Sequence, residues 1–236
     1  MNLLFIALCS LLPQNEGRTI DEKLHHLGND NVPEWKETTP EPEGKELRVA
    51  FQATPNKREF TLELTQRDIH EVWHVDLNKT RLGDLAVTEA TRKIVFTVPA
   101  GVLIEGENVL HVHSKRPQDD IIVGKIVLYP ASLRELNRLG KIVVTVQNGA
   151  DESALPARIA VTNEAGKLVR LFYAARNDTA VRTGIFYTNG EGSSLEVPAG
   201  KYTLTATRGM EWSLQSKSVD VRYQDTQTVS FTLGRE

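Results

Sequence analysis

Cysteine is nearly absent: Cys9 is the only one in 236 residues, so no internal disulfide framework and no cysteine-based zinc site can form. Basic residues do not predominate either. Lys and Arg number 28 against 31 Asp and Glu, the net charge is −3 and the signs are interspersed, which excludes the concentrated basic face that nucleic acid requires of its main partner. No hydrophobic run reaches the roughly 20 residues of a bilayer span, so no integral membrane segment is expected. The longest run, Leu3–Leu12, has the length of a signal-peptide core and ends at Pro13-Gln14-Asn15-Glu16-Gly17. No Lys or Arg precedes it and no A-x-A site follows. Leu8 also stands where a lipoprotein signal at Cys9 would carry a small residue. The expectation is a signal peptide over residues 1–13 and export to the periplasm or the exterior; a buried first segment is the other reading. Catalytic signatures are missing as well. There is no G-x-S-x-G, no phosphate-cradling G-x-x-x-x-G-K-[ST] and no G-x-G-x-x-G opening a helix, and carboxylates such as Glu63, Asp68 and Asp84 are scattered among strand patterns. The chain as given therefore reads as non-catalytic, with no cofactor.

What is present is β-pattern, and the length is sufficient for two domains with separate cores. Residues 14–45 are polar and punctuated by Pro33, Pro40 and Pro42, which makes them a linker by composition, extended against the first domain or mobile. Within them Ile20–Leu27 can form one or two helical turns with Asp21 near the cap. From residue 46 the period is two. Leu47, Val49 and Phe51 alternate with polar or small residues, as do Phe60, Leu62 and Leu64. Further strands are expected at Trp73–Leu77, Arg81–Leu85, Ile94–Val98, Val109–His113 and Ile121–Leu128, separated by turn residues such as Asn78-Lys79-Thr80 and Pro99-Ala100-Gly101. That spacing predicts a β-sandwich over 46–131. Ser132–Leu139 is the single helical stretch. Ser132 and Glu135 form a capping box, Leu133 and Leu136 share a face, and Gly140 stops it, giving a connector over 132–140.

The second half, 141–236, is again strand and turn. Ile142–Val146, Pro156–Thr162, Gly184–Tyr187, Gly192–Val197, Tyr202–Thr207, Lys217–Tyr223 and Gln227–Leu233 are separated mostly by hairpin-length links, which predicts antiparallel topology. Leu168–Ala180 lacks alternation and reads as a surface loop. In Val197–Gly209, Pro198 and Gly200 make a turn. Tyr202, Leu204 and Ala206 then face a core while Thr203, Thr205 and Thr207 face water.

That stretch, VPAGKYTLTATRG, resembles the PAGxYxLxA strand of carboxypeptidase-regulatory-like modules, which are small transthyretin-like sandwiches. In the first half, WHVDLNKTRLGDL followed by VPAGVLIEGENVLHV resembles the jelly-roll sandwiches of the galactose-binding-like fold, with Lys79 where that family often has glycine. The fold class this implies is all-β: a jelly-roll galactose-binding-like sandwich, a short helix, then a transthyretin/Ig-like sandwich, both antiparallel. Most of 140–236, through AVRTG, PAGKYTLTATRG and EWS, resembles the accessory region ahead of the catalytic domain in exported bacterial PHP-type (polymerase-and-histidinol-phosphatase) metallohydrolases. The chain ends at Glu236 without the histidine-rich barrel of that family, so the family's catalytic residues find no positions here. The resemblance implies a non-catalytic accessory region that positions such a hydrolase domain or binds a glycan or envelope component. A free-standing carbohydrate-binding module is the alternative, and a metal-dependent phosphoesterase with a site between the domains is a second.

Two groups of residues are candidates for binding. His111 and His113 lie two apart, on one face of a strand, with His70, His74, Asp119 and Asp120 elsewhere in the same half. Histidine–carboxylate sets bind zinc, manganese or iron. Alternation also accounts for them without a metal, since Leu110 and Val112 then face the core and the histidines face water. A metal would require His111, His113 and a carboxylate to converge. Trp212, with Arg208 and Glu211, lies in a turn after the Tyr202 strand. It reads equally as a stacking and hydrogen-bonding surface for a sugar or as a cap on the sandwich end. Trp73, opening a strand, is expected in the core.

Overall fold

The structure is a computed structural model that describes residues 16–29, 41–115, 119–172 and 180–236. The signal-peptide run, Cys9, Trp35 and most of the expected loop after Phe172 lie outside the described residues. The chain divides into two compact units between Leu136 and Asn137.

The first unit packs two four-stranded sheets, eight strands in all as in a jelly roll. One sheet has the order β1-β8-β3-β6, from β1 (Arg18–Leu27), β8 (Ile121–Tyr129), β3 (Phe60–Arg67) and β6 (Arg92–Val98). The other has the order β2-β7-β4-β5, from β2 (Glu46–Ala53), β7 (Gly106–His113), β4 (His74–Leu77) and β5 (Thr80–Asp84). Every pair in both sheets is antiparallel. Alternation decides the faces: Leu110 and Val112 of β7 and Val75 and Leu77 of β4 are fully buried in the core with Leu62, Leu64, Ile69 and Trp73. Each such side chain contributes about 1.5–3 kcal/mol through its removal from water.

The asparagines that carry the galactose-binding-like resemblance act in the framework. Asn78 takes the turn of the β4–β5 hairpin with φ +55°. Its side-chain amide donates to the Val102 carbonyl and to Asn108 Oδ1, while its Oδ1 accepts the Val109 N–H, so the hairpin is tied to β7. Asn108, fully buried, accepts the Ile104 N–H and donates to the Ile104 and Gly106 carbonyls. Asn78 alone takes the left-handed conformation here, and Lys79, where that family often has glycine, is not among the positive-φ residues, so the turn holds without a glycine.

Two local expectations are corrected. Residues 18–27, expected as linker with helical turns, form β1, because their backbone pairs with β8 from Arg18↔Leu128 to Leu27↔Ile121. The connector helix is shorter than Ser132–Leu139: α1 spans Leu133–Leu136. Its capping box is present, with the Ser132 N–H donating to Glu135 Oε2 at 2.7 Å and the Glu135 N–H to Ser132 Oγ at 3.2 Å. The chain turns at Arg138 (φ +49°) and enters a strand at Leu139, so Gly140 lies inside that strand instead of stopping the helix.

The second unit packs a five-stranded sheet against a three-stranded one. The larger sheet has the order β11-β12-β10-β14-β15, from β11 (Ala180–Arg182), β12 (Ile185–Thr188), β10 (Ala157–Asn163), β14 (Gly200–Thr207) and β15 (Gln215–Val221). The smaller is β13-β9-β16, from β13 (Glu191–Pro198), β9 (Leu139–Asn148) and β16 (Thr226–Leu233). The antiparallel expectation fails at one place. β16 runs parallel to β9, Thr226 facing Lys141 and Leu233 facing Asn148, so the first and last strands of the unit are neighbours. Tyr202, Leu204 and Ala206 enter the core as expected, and Tyr202 Oη donates to the Pro198 carbonyl at 2.6 Å, closing the turn ahead of its own strand.

Candidate functional site

The outer face of the β2-β7-β4-β5 sheet carries a regular array of ionisable groups. Strand register sets it: Glu46, His113, His74 and Asp84 form one row across the four strands, and Arg48, His111, Asp76 and Arg81 the next. The six on β2, β4 and β7 point outward because the residues they alternate with pack into the core, and a register shift between Val75 and Asp76 sets Arg81 opposite Asp76 and Asp84 opposite His74. The His111 and His113 rings stack, centroids 4.2 Å apart and planes at 17°, and His74 meets His113 edge-on at 5.4 Å. His113 Nε2 lies 2.9 Å from Asp76 Oδ2, His111 Nε2 lies 2.8 Å from Glu46 Oε2, and His74 Nδ1 lies 2.7 Å from Asp84 Oδ1. Arg81 donates from Nε to Asp76 Oδ1, and Arg48 from Nε to Glu46 Oε1 at 2.9 Å.

These partners shape the carboxylates. Burial opposes the charged form of Asp76, but hydrogen bonds from Arg81 and His113 outweigh it and hold the carboxyl below its usual range. Hydrogen bonds from Arg48 and His111 lower Glu46 in the same way. One ligand atom from each of Asp76, His111 and His113 falls within 4.8 Å of the others. The two sequence candidates thus converge with a carboxylate, and all three residues belong to the first unit. Asp76 escaped sequence reasoning. The alternation in WHVDL places it outward, but only the β4–β7 register sets it opposite His111.

The remaining histidines have other partners. His70 lies beside Asp119, its Nδ1 3.2 Å from Oδ1. Asp119 also accepts the His70 and Glu71 backbone N–H groups and Trp73 Nε1–H, so it anchors the segment that delivers the buried Trp73 to the core. It is an internal acceptor, not a member of the histidine array. His26 lies 3.3 Å from Asp120, and His25 sits between Asp21 and Glu43.

The second candidate group is only partly assembled. The Arg208 guanidinium lies 5.5 Å from the Trp212 ring centroid, and Trp212 is half-buried against the second core with its backbone bridged to Arg235. Trp212 therefore caps the end of the sandwich. Glu211 turns away to pair with Arg235 at 2.6 Å. The more open aromatic nearby is Tyr187, 45% exposed, at an outward position of β12 opposite Arg158. Tyr187, Arg158, Thr207, Arg208, Pro156 and Gly209 line a cleft of about 380 Å³. Arg208 is fixed there by donating to the Pro156 carbonyl at 2.7 Å. Tyr187 and Arg158 were not singled out by the sequence, since strand alternation marks them as outward but says nothing of a concavity.

A scan of family models and a search of curated proteins give no match. Among solved structures the chain is similar to the pilus 2b backbone protein of group B streptococcus (12% identity over 80% of this chain and 92% of that one, TM-score 0.29). It is likewise similar to the minor pilin GBS52 of Streptococcus agalactiae (11% identity, 91% and 96% covered, TM-score 0.33). A third is a GH2 beta-galacturonidase from Eisenbergiella tayi (10% identity, 88% and 43% covered, TM-score 0.29). Scores this low carry no functional argument. The chain is an all-β protein of two sandwiches, and no helix among the described residues is long and apolar enough to cross a membrane.

Proposed function

We propose that this chain is a non-catalytic binding and accessory module of an exported bacterial protein, and that it holds a glycan-type ligand of the cell envelope. The observation that carries the reading is the cleft on the second sandwich, where the exposed Tyr187 ring stands beside Arg158, Arg208 and Thr207. An aromatic face stacks on the C–H face of a sugar, and neighbouring guanidinium and hydroxyl groups fix its orientation by hydrogen bonds. A volume of about 380 Å³ falls in the small-ligand range. Two arginines favour acidic sugars, because guanidinium engages carboxylates in paired hydrogen bonds. The resemblance of residues 140–236 to the region ahead of PHP-type catalytic domains supports a further role, in which the sandwiches position a metallohydrolase domain on its substrate. The Leu3–Leu12 run supports export.

The test is a glycan array of neutral and acidic oligosaccharides, followed by calorimetry on the best ligand. Tyr187→Ala and Arg158→Ala are expected to weaken binding at least about tenfold, in line with loss of an anchor residue. Wild-type protein that binds no glycan, or variants that bind as tightly as wild type, would overturn the reading.

A further inference from the structure

We infer that Asp76, His111 and His113 form a binding site for one divalent transition-metal ion, of the zinc class, on the outer face of the first sandwich. Two imidazoles and one carboxylate are a ligand set suited to zinc, iron, nickel or manganese and poorly suited to calcium, which prefers six or more oxygens. The three donors already lie within 4.8 Å of one another. An ion bound at about 2.0–2.2 Å from each needs donors no more than about 4.4 Å apart. Small side-chain rotations close that difference.

The backbone pre-arranges the set. His111 and His113 project from the same side of β7, a strand hydrogen-bonded on one edge to β2 and on the other to β4, and β4 presents Asp76 directly opposite His111. Little ordering remains to be done when the ion arrives. The hydrogen-bond pattern also fits. Arg81 takes Asp76 Oδ1, which leaves Oδ2 facing His113 Nε2 at 2.9 Å, so an ion replaces a single hydrogen bond there. Glu46, 2.8 Å from His111 Nε2, is placed to hold that imidazole as carboxylates do behind metal-bound histidines, with Nδ1 left as the nitrogen for the ion. Arg81 and Arg48 repel a cation, but Asp76, Glu46 and Asp84 outnumber them, so the face is net negative when its histidines are neutral. The remaining coordination positions open to water, because the site lies on the solvent side of the sheet. Only unprotonated imidazole binds a metal, so affinity falls on acidification. This ion site lies in the first unit and the Tyr187 cleft in the second, so either can be present without the other.

The experiment is calorimetric titration of the EDTA-treated full chain with zinc chloride, paired with the visible absorption of bound cobalt(II). One ion per chain is expected. His111→Ala, His113→Ala and Asp76→Asn should each weaken binding more than about a hundredfold, the loss expected of a missing ligand being larger than the 10–100-fold of a supporting partner. The cobalt bands should disappear in His113→Ala, and calcium chloride should give no heat. His25→Ala and His70→Ala, which remove histidines from other parts of the unit, should bind as wild type. Gln replaces Ala at either ligand if circular dichroism shows an alanine variant misfolded. The inference is overturned by no saturable zinc binding up to millimolar concentration, by triad variants that bind normally, or by loss of binding in a control variant.

Discussion

His25 shows how single residues in a polar stretch acquire a role through contacts distant in sequence. Its ring nitrogens lie 2.6 Å from Asp21 and 2.7 Å from Glu43. Burial works against its charged form, but the two carboxylates outweigh burial and raise its pKa above the usual 6.5. A histidine raised in the folded state contributes stability that is complete below the unfolded pKa of about 6.5 and is lost as pH rises through the higher folded value. Urea unfolding is therefore expected to show stability falling as pH rises above about 6.5, with His25→Asn removing that component. An identical pH slope in the variant would refute the assignment. The HH pair of residues 25 and 26 was visible as polarity, but Glu43 reaches His25 only across residues between two strands, which no local pattern encodes. The opposite holds for Trp73 and Tyr202, whose inward positions follow from alternation and are observed.

At the scale of elements, strands marked by an apolar period were legible and β1 was not. Every strand expected between Leu47 and Leu128 is present, since alternation of apolar and polar side chains specifies a half-buried strand directly. β1 carries a mixed pattern, and its pairing to β8 is broken by register shifts at Thr19/Asp21 and Asp21/Leu24. Gly124 makes one of these possible. Its φ is +154°, and a Cβ there would collide with the Lys23 carbonyl oxygen and stand 3.0 Å from Leu24 Cα. Gly124→Ala should then cost about 1–3 kcal/mol in denaturant unfolding and loosen β1 first, seen as faster hydrogen exchange at residues 22–27 than in the rest of the sheet. Unchanged stability and exchange would show that β1 does not depend on this close approach. The four-residue α1 illustrates the converse: its capping box was readable and is formed, but its length was set where the chain had to enter β9.

Over the whole molecule, two separate hydrophobic clusters account for the two units. Leu110→Ala in the first and Leu204→Ala in the second each remove a fully buried side chain, at an expected cost of about 2–5 kcal/mol. Scanning calorimetry should resolve two transitions, each variant lowering one and sparing the other. A single transition shifted equally by both would mean that the units unfold together. The parallel β9–β16 pair belongs to this scale also. It joins residues 139–148 to 226–233, and loop lengths, which favoured hairpins, carried no information about the first and last strands of the unit becoming neighbours.

The sequence by itself determined the all-β class, most strands, the inward residues of each, the capping box and the outward placement of His111 and His113. These follow from local backbone sterics and from a period of two, both of which act within a few residues. Only the tertiary structure decided that β1 is a strand, that β16 lies parallel to β9, that Trp212 caps an end while Tyr187 opens a cleft, and that Asp76 meets the two histidines. Each depends on which strand pairs with which and in what register. Pairing is a long-range choice made by burial of the whole core, and a shift of one residue would turn Asp76 inward.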